Sequence, residues 1–511
     1  MKRLFLLALL VLCAITLCAA QPGTLDQTFG TAGKVTTSFG LNDAQGRAIA
    51  IQPDGKIIVV GETYSNTTVV EDFALTRYNA NGTPDATFGT NGLVVTDMLQ
   101  NKDVANAVAI QMDGKIVVAG YAHNGSNYDF AIARYLTNGA LDNTFGTNGK
   151  TIKNFGSTDF GLAMALRPNG KILVAGRAYN GINSDFALVQ LNSDGTFDNS
   201  FGTIGAVKSN LFDEQESANA IAIQPDGKIV AVGDRYANTG SIFAAARFNA
   251  DGSLDNTFGT DGKVSTALGT ESDVAYAVAI QADGRIVVAG QSNLSPGSRF
   301  ALVRYLANGN LDNSFSSDGK LITSISGLSD YAYSAAIQAN GKILAGGSVT
   351  GSNSNSDFAV ACYLPDGNLD LTFGVNGIGL ADFNVRTDAA HAMILNQDKI
   401  VMAGYSDDFM QSNFAVARFQ GGASVGANDL FHEKGIQIFP NPASESVQIM
   451  PVWTGGTIRV LSATGQLMAD IPDETDNLQI NVAQWPSGWY FAQLSIEGKT
   501  WVAEKFLVQK P

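Results

Sequence analysis

The sequence predicts an all-β protein, a seven-bladed β-propeller followed by a small C-terminal β-sandwich, on three observations. Three sets of marker residues each recur seven times at intervals of 56–59 residues. Between the markers, apolar residues run in short, turn-bounded stretches typical of strands. Only 15% of the 511 residues are charged, whereas 55 are glycine, which excludes a coiled coil or a charged disordered chain and suits a turn-rich β protein. Lys plus Arg is 32 against 47 Asp plus Glu, a net charge of −15. Nucleic acid is thereby excluded as a partner, because phosphate binding draws on clustered Lys and Arg.

The chain divides into four expected segments. Residues 1–20 carry Lys2 and Arg3, an apolar run from Leu4 to Leu17 and the triplet Cys18-Ala19-Ala20, the pattern of a secretory signal peptide. The run is shorter than the roughly 20 residues that span a bilayer, and no later stretch could span one. A lipid anchor on Cys18 is the alternative, opposed by bulky Leu17 before it. With Cys13 and Cys18 removed, only Cys362 remains, so no intrachain disulfide forms and a packed core must supply stability.

Residues 21–420 hold the repeat. The first marker is the Phe of Leu25-Asp26-Gln27-Thr28-Phe29-Gly30, returning at Phe88, Phe145, Phe201, Phe258, Phe315 and Phe373. The second is a basic residue followed five positions later by Gly, from Lys56/Gly61 to Lys399/Gly404; the third is the Phe of Asp72-Phe73-Ala74-Leu75-Thr76-Arg77-Tyr78. Ala48–Ile51 and Lys56–Val60 flank Gln52-Pro53-Asp54-Gly55 and read as a hairpin. Phe73–Tyr78 supplies another strand and Lys34–Ser38 the fourth, which makes one propeller blade per unit. Small residues such as Ala48, Ala50, Ala107 and Ala109 suit crowded positions near the channel. An open solenoid is the runner-up; a count of seven without capping repeats favours a closed ring.

Leu-Asp-x-Thr-Phe-Gly, Gln-Pro-Asp-Gly-Lys-Ile and Asp-Phe-Ala-Leu-x-Arg-Tyr together resemble the delta-60 repeat of exported bacterial proteins. That resemblance implies a repeat type and no activity. Residues 421–433 read as a linker, and 434–511 as a small sandwich of alternating strands. This last segment resembles the type A sorting domain of the type IX secretion system of the Bacteroidota, on Pro440, Asn441 and Pro442 near its start, Gly465 in its middle, and Gly488 and Tyr490 before its closing strands. The resemblance implies the type IX machinery as partner and a secreted or cell-surface destination.

Sites of chemistry are few. His123, His391 and His432, read as lying in a loop, before a strand and in the linker region, lack ligand spacing. Cys362 replaces a strand Arg and reads as a packed thiol. The series Asp26, Asp85, Asp142, Asp198, Asp255, Asp312 and Asp370 reads as turn-capping, with the strand Arg as a candidate partner. Calcium is the alternative there, because Asn249-Ala250-Asp251-Gly252-Ser253-Leu254-Asp255 has the oxygen-rich spacing of part of a calcium loop. The bases Lys56, Lys115, Lys171, Lys228, Arg285, Lys342 and Lys399 read as solvated beside their own turn acids, such as Asp54 and Asp113. No catalytic residue and no cofactor are expected. The functional expectation is a non-catalytic exported scaffold binding an extracellular glycan or protein through the loops Tyr64–Val70, Tyr121–Asn127 and Val349–Ser356, on one face. The alternative is an extracellular propeller enzyme, a hydrolase or lyase acting on polymers.

Overall fold

The computed structural model describes residues 21–65, 70–237, 240–269, 271–351, 355–383, 386–408, 410–422, 436–439, 446–451, 457–462, 466–472, 478–496 and 499–508. The expected signal segment, most of the expected linker with His432, and the motif residues Pro440, Asn441, Pro442 and Gly465 lie outside the described residues.

Among the described residues, 21–420 form seven four-stranded antiparallel sheets. Blade 1 is the meander Asp43–Ile51, Ile57–Ser65, Val70–Tyr78 and Leu93–Thr96. Blades 2 to 6 repeat it at 103–153, 159–209, 216–266, 273–323 and 329–381. The first strand of each blade touches the first strand of the next, and that of blade 7, Asp388–Asn396, touches that of blade 1. The seven first strands therefore line an axis, and the ring is closed.

The closing blade corrects the expected strand grouping. Lys34–Thr37 does not complete a sheet with the strands that follow it. It pairs antiparallel with Ser412–Gln420, Val35 opposite Val416, and completes blade 7. A blade buried on both faces needs four paired strands, and the chain's N-terminal strand supplies the one that its C-terminal repeat lacks. The contact continues upstream, where the Gly23 amide donates to the Gln420 carbonyl at 2.7 Å and the Asp26 amide to the Arg418 carbonyl at 2.8 Å.

The core lies between the blades. Phe88 and Phe73 of blade 1 pack with Val118, Ala131 and Tyr135 of blade 2, all fully buried. Both faces of a blade carry apolar side chains, so the strands read as continuous Val, Ile, Leu and Ala runs such as Ile116-Val117-Val118-Ala119. The marker Phe locks neighbouring blades. The Gly30 amide beside Phe29 donates to the Asn81 carbonyl at 2.8 Å, and a Cβ on Gly82, at φ +87, would fall 2.9 Å from the Phe29 ring.

The C-terminal region forms a three-stranded sheet and a four-stranded sheet, the latter in the order Leu467–Pro472, Thr457–Ser462, Gly488–Ile496, Lys499–Val508. They enclose a core of their own: Val447, Ile449, Ile480, Ile458, Val460, Tyr490, Ala492, Phe506 and Val508. Tyr490 is buried among Trp485 and Phe506 and donates its hydroxyl to the Pro486 carbonyl at 2.9 Å. Gly488 opens the strand that carries it.

Candidate functional site

Every first strand carries one β-bulge. In blade 1 the register slips between Gly46 and Ala48, and equivalent slips occur in the other six. The second-marker glycines, Gly61 to Gly404, stand opposite the bulges. A Cβ on any of them would come within 1.8–2.0 Å of a backbone oxygen of the first strand, which is why the position admits no side chain. The extra residue of the bulge is turned out of the ladder. These residues are Arg47, Asn106, Leu162, Asn219, Tyr276, Tyr333 and His391, and they break the repeat where its neighbours keep it.

Five of them, with Tyr121, Phe160, Arg177, Ser217, Asp234 and Val274, line a cavity of about 350 Å³ in the channel. Some bulge residues have a structural duty. Asn106 Nδ2 donates to the Gly161 carbonyl at 2.8 Å, Asn219 Nδ2 to the Ala275 carbonyl at 2.9 Å, and His391 Nδ1 lies 3.1 Å from the Gly46 carbonyl. Each of these carbonyls belongs to the next blade's bulge, so the three side chains stitch inner strands that share no ladder. Burial, and secondarily the Arg47 charge, push the His391 imidazole down to about 4, so it is neutral at pH 7. The structure places it inside the strand Asp388–Asn396, correcting its expected place before a strand.

The other groups form an aromatic and charged lining. Arg47 grips the buried Glu62 with Nε at 2.5 Å and Nη2 at 2.7 Å, the fork geometry of an ion pair, and keeps about a third of its side chain exposed, 34%. Arg177 stacks 4.7 Å over Phe160, and Tyr121 meets the same ring edge-on at 4.8 Å. Tyr276 and Tyr333 stand 4.9 Å apart, and Tyr333 meets His391 at 5.3 Å. Asp234, whose pKa burial raises, accepts from Asn219 at 3.0 Å and from Ser241 at 3.2 Å.

The Asp series lies near the hairpin ends, away from this lining. Asp255 Oδ1 accepts from the Thr257 amide at 3.1 Å and hydroxyl at 2.7 Å; Oδ2 accepts from Arg247 Nε at 2.7 Å and faces Lys228 at 3.0 Å. Asp26, Asp85, Asp142, Asp198, Asp312 and Asp370 repeat the turn bonds. Burial alone would raise their pKa values, but these donors and the cations hold all seven below the ordinary carboxylate range. The seven bases are not merely solvated beside turn acids, as expected. Each lies within 3.9 Å of its series Asp, because the hairpin sets it over Oδ2, the oxygen that the strand Arg also holds in five of the blades.

Where the Arg is missing, the framework adapts. In blade 3 Gln190 donates to Asp198 at 2.6 Å and accepts from Arg167, at 2.5 Å, which stands where blade 1 has Gln52; the two residue types have exchanged places. In blade 6 Cys362 is buried, and burial, then Asp370, push its thiol up to about 12, so it stays protonated. His123 ends the strand Ile116–His123, accepting from the Gly125 amide at 3.2 Å. Of the three expected recognition loops, Tyr121–Asn127 joins the second and third strands of blade 2 at the end where the first strand begins, and the described ends of the other two stand at the equivalent place in blades 1 and 6, with residues 66–69 and 352–354 outside the described residues.

Comparison with known protein families matches a profile described as a domain of unknown function (DUF5122) β-propeller to residues 52–88, 111–145, 167–201, 224–258, 281–315 and 338–373. The chain carries DUF5122 β-propeller repeats. Six matches accompany seven sheets for a topological reason. A match runs from the first hairpin to the marker Phe, and in blade 7 that stretch is divided between Lys399–Gln420 and Leu25–Phe29. A second profile, a secretion system C-terminal sorting domain, matches residues 437–509 and indicates export by type IX secretion to the cell surface or extracellular space. No curated protein matches the chain. Among solved structures, the PorZ component of the type-IX secretion system of Porphyromonas gingivalis aligns at 13% identity and TM-score 0.37, over 90% of this chain and 59% of that one. This chain thus spans less than two thirds of PorZ. Polysaccharide lyase Uly1 aligns at 12% and 0.42, covering 74% and 90%. The β-propeller domain of the Trilobed protease from Pyrococcus furiosus aligns at 11% and 0.37, covering 75% and 96%. No helix among the described residues is long and apolar enough to cross a membrane.

Proposed function

We propose that this exported propeller is a non-catalytic binding module that takes a glycan segment into its central channel. One observation carries the reading. The bulge position, set between well-kept small residues, holds five residue types over the seven blades, and five of its seven residues line one cavity. Its volume is at the low end of the roughly 300–1,000 Å³ of small-molecule sites. Half-buried rings beside Arg, Asn and Asp groups suit the apolar faces and hydroxyl edges of a sugar. The acid–base candidates are already engaged: Glu62 by Arg47, Asp234 by Asn219, and His391 by the Gly46 carbonyl. That favours recognition over turnover.

A polymer-acting hydrolase or lyase is the second reading, favoured by His391 standing between Tyr333 and Tyr405, 5.3 and 5.6 Å from their ring centres. A neutral imidazole beside phenols is a usable acid–base group. A screen of the exported chain against polysaccharide fragments separates the two. Saturable binding without product is expected, with affinity falling at least tenfold in Tyr276→Ala and Arg177→Ala while the melting temperature holds. Product formation that disappears in His391→Gln would establish the enzyme instead.

A further inference from the structure

The end of the ring that carries the second-to-third-strand loops has another layer of acids. In blades 2 to 7 the first strand carries, at its first or second residue, an acid that is wholly or almost wholly buried: Asp103, Asp159, Glu216, Asp273, Asp330 and Asp388. Each caps backbone amides of the loop behind it; Asp103 Oδ2, for example, accepts from the Met98 amide at 2.5 Å and Asp388 Oδ2 from the Phe383 amide at 2.7 Å. That role needs one acid per junction. At two junctions there are three. Asp72, Asp97 and Asp103 bring one carboxylate oxygen each within 4.8 Å of the others between blades 1 and 2. Asp357, Asp382 and Asp388 do the same between blades 6 and 7.

The equivalent positions elsewhere show what the extra carboxylates are not needed for. Between blades 2 and 3 the middle residue is Asn154, whose side chain bonds Asp129. Between blades 3 and 4 it is Asn210. Between blades 4 and 5 the first and middle positions are Ile242 and Ala267, and between blades 5 and 6 Arg299 and Ser324. Capping by the buried acid survives every one of these replacements. Asp103 is 0% exposed, yet its Oδ1 has no hydrogen-bond partner; Asp72 Oδ1 and Asp388 Oδ1 are also unmet. Asp159 and Asp273 leave the same oxygen unmet, but without two further carboxylates around it. A buried oxygen facing like charges costs free energy unless a positive partner sits there.

We propose that the two acid triads bind divalent cations of the calcium class, one at each junction. An oxygen spacing of up to 4.8 Å is what one ion bonded at roughly 2.4 Å to each oxygen spans. The donor set is all carboxylate, with neither His nor Cys, which suits a hard cation. One member of each triad, Asp97 or Asp382, is exposed, so water can complete the 6–8 ligands that calcium takes. Each ion would tie the last-strand exit of one blade to the first strand of the next. The two triads flank blades 7 and 1, the pair through which the ring closes.

The test uses the full exported chain stripped with chelator and titrated with Ca²⁺ by calorimetry, with melting followed in parallel. Two ions per chain and a melting rise of several degrees are expected. Asp97→Asn, which keeps an oxygen for the Gln100 amide that Asp97 caps, leaves one ion, and the double variant with Asp382→Asn leaves none. Asn154→Asp builds a third triad and adds an ion, a gain that misfolding cannot imitate. The proposal is overturned if the wild type takes up no Ca²⁺, if the double variant keeps both ions, or if Mg²⁺ and Na⁺ at equal ionic strength raise the melting temperature equally.

Discussion

Asp255 shows how much one residue type carries in each blade. It caps a turn, neutralises Arg247 and faces Lys228, and Arg247 in turn stacks 4.9 Å from the Phe258 ring centre. Asp255→Ala would leave the buried guanidinium without a counter-charge. A loss of about 3–5 kcal/mol is expected, the scale for one-sided removal of a buried pair rather than for a lost cap. Urea unfolding checks this; a loss below about 1 kcal/mol would mean that the turn bond alone matters. Acid should reveal the same framework. The pKa of Asp142 is lowered from its ordinary 3.8 to about 2, so its native contacts stabilise above pH 4 and that contribution is lost as pH falls from about 4 to 2. The stability gap between wild type and Asp142→Asn should shrink over that window, and a constant gap would contradict it. The Asp series was legible in the sequence because it recurs; the Arg167 and Gln190 exchange was not, because two irregularities 23 positions apart become one only when the side chains meet.

At the scale of the element, the two informative features are the bulge and the closing strand. The glycine opposite each bulge was visible as a marker, and the bulge gives it a reason. The residues beside it, Arg47 to His391, looked like noise because variation in a repeat has no period to detect. Aligning Gly46-Arg47-Ala48 with Ala105-Asn106-Ala107 and Ala390-His391-Ala392 exposes one free position between small residues, and that alignment was the available signal. The fourth strand was placed correctly along the chain and assigned to the wrong sheet, because local pattern cannot tell which of two neighbours a strand joins. Deleting residues 21–38 removes Asp26, Phe29 and the whole of Lys34–Thr37, and opens the edge of Ser412–Gln420. A melting drop on the order of 10 °C and association on size exclusion are expected; an unchanged monomer melting like wild type would show that the closing strand is dispensable.

At the scale of the whole molecule, propeller and tail have separate hydrophobic cores, so removing one should leave the other's packing intact. Deleting residues 436–511 should yield a folded propeller retained in the periplasm, because the matched sorting profile lies wholly within 437–509. Fractionation with an antibody to the propeller checks this, and normal amounts in the medium would contradict it. The joint between the chain's two ends also sets the order of assembly. Val35 and Val416 are about 380 residues apart, and closing so long a loop is slow compared with forming any one meander. Six blades can be complete while the seventh waits for a strand made long before. In that interval the incomplete sheet offers a slot cut for this sequence, and at high concentration the strand that fills it can come from a second molecule. Refolding from dilute and concentrated solution should therefore partition between monomers and pairs that have traded their first strands.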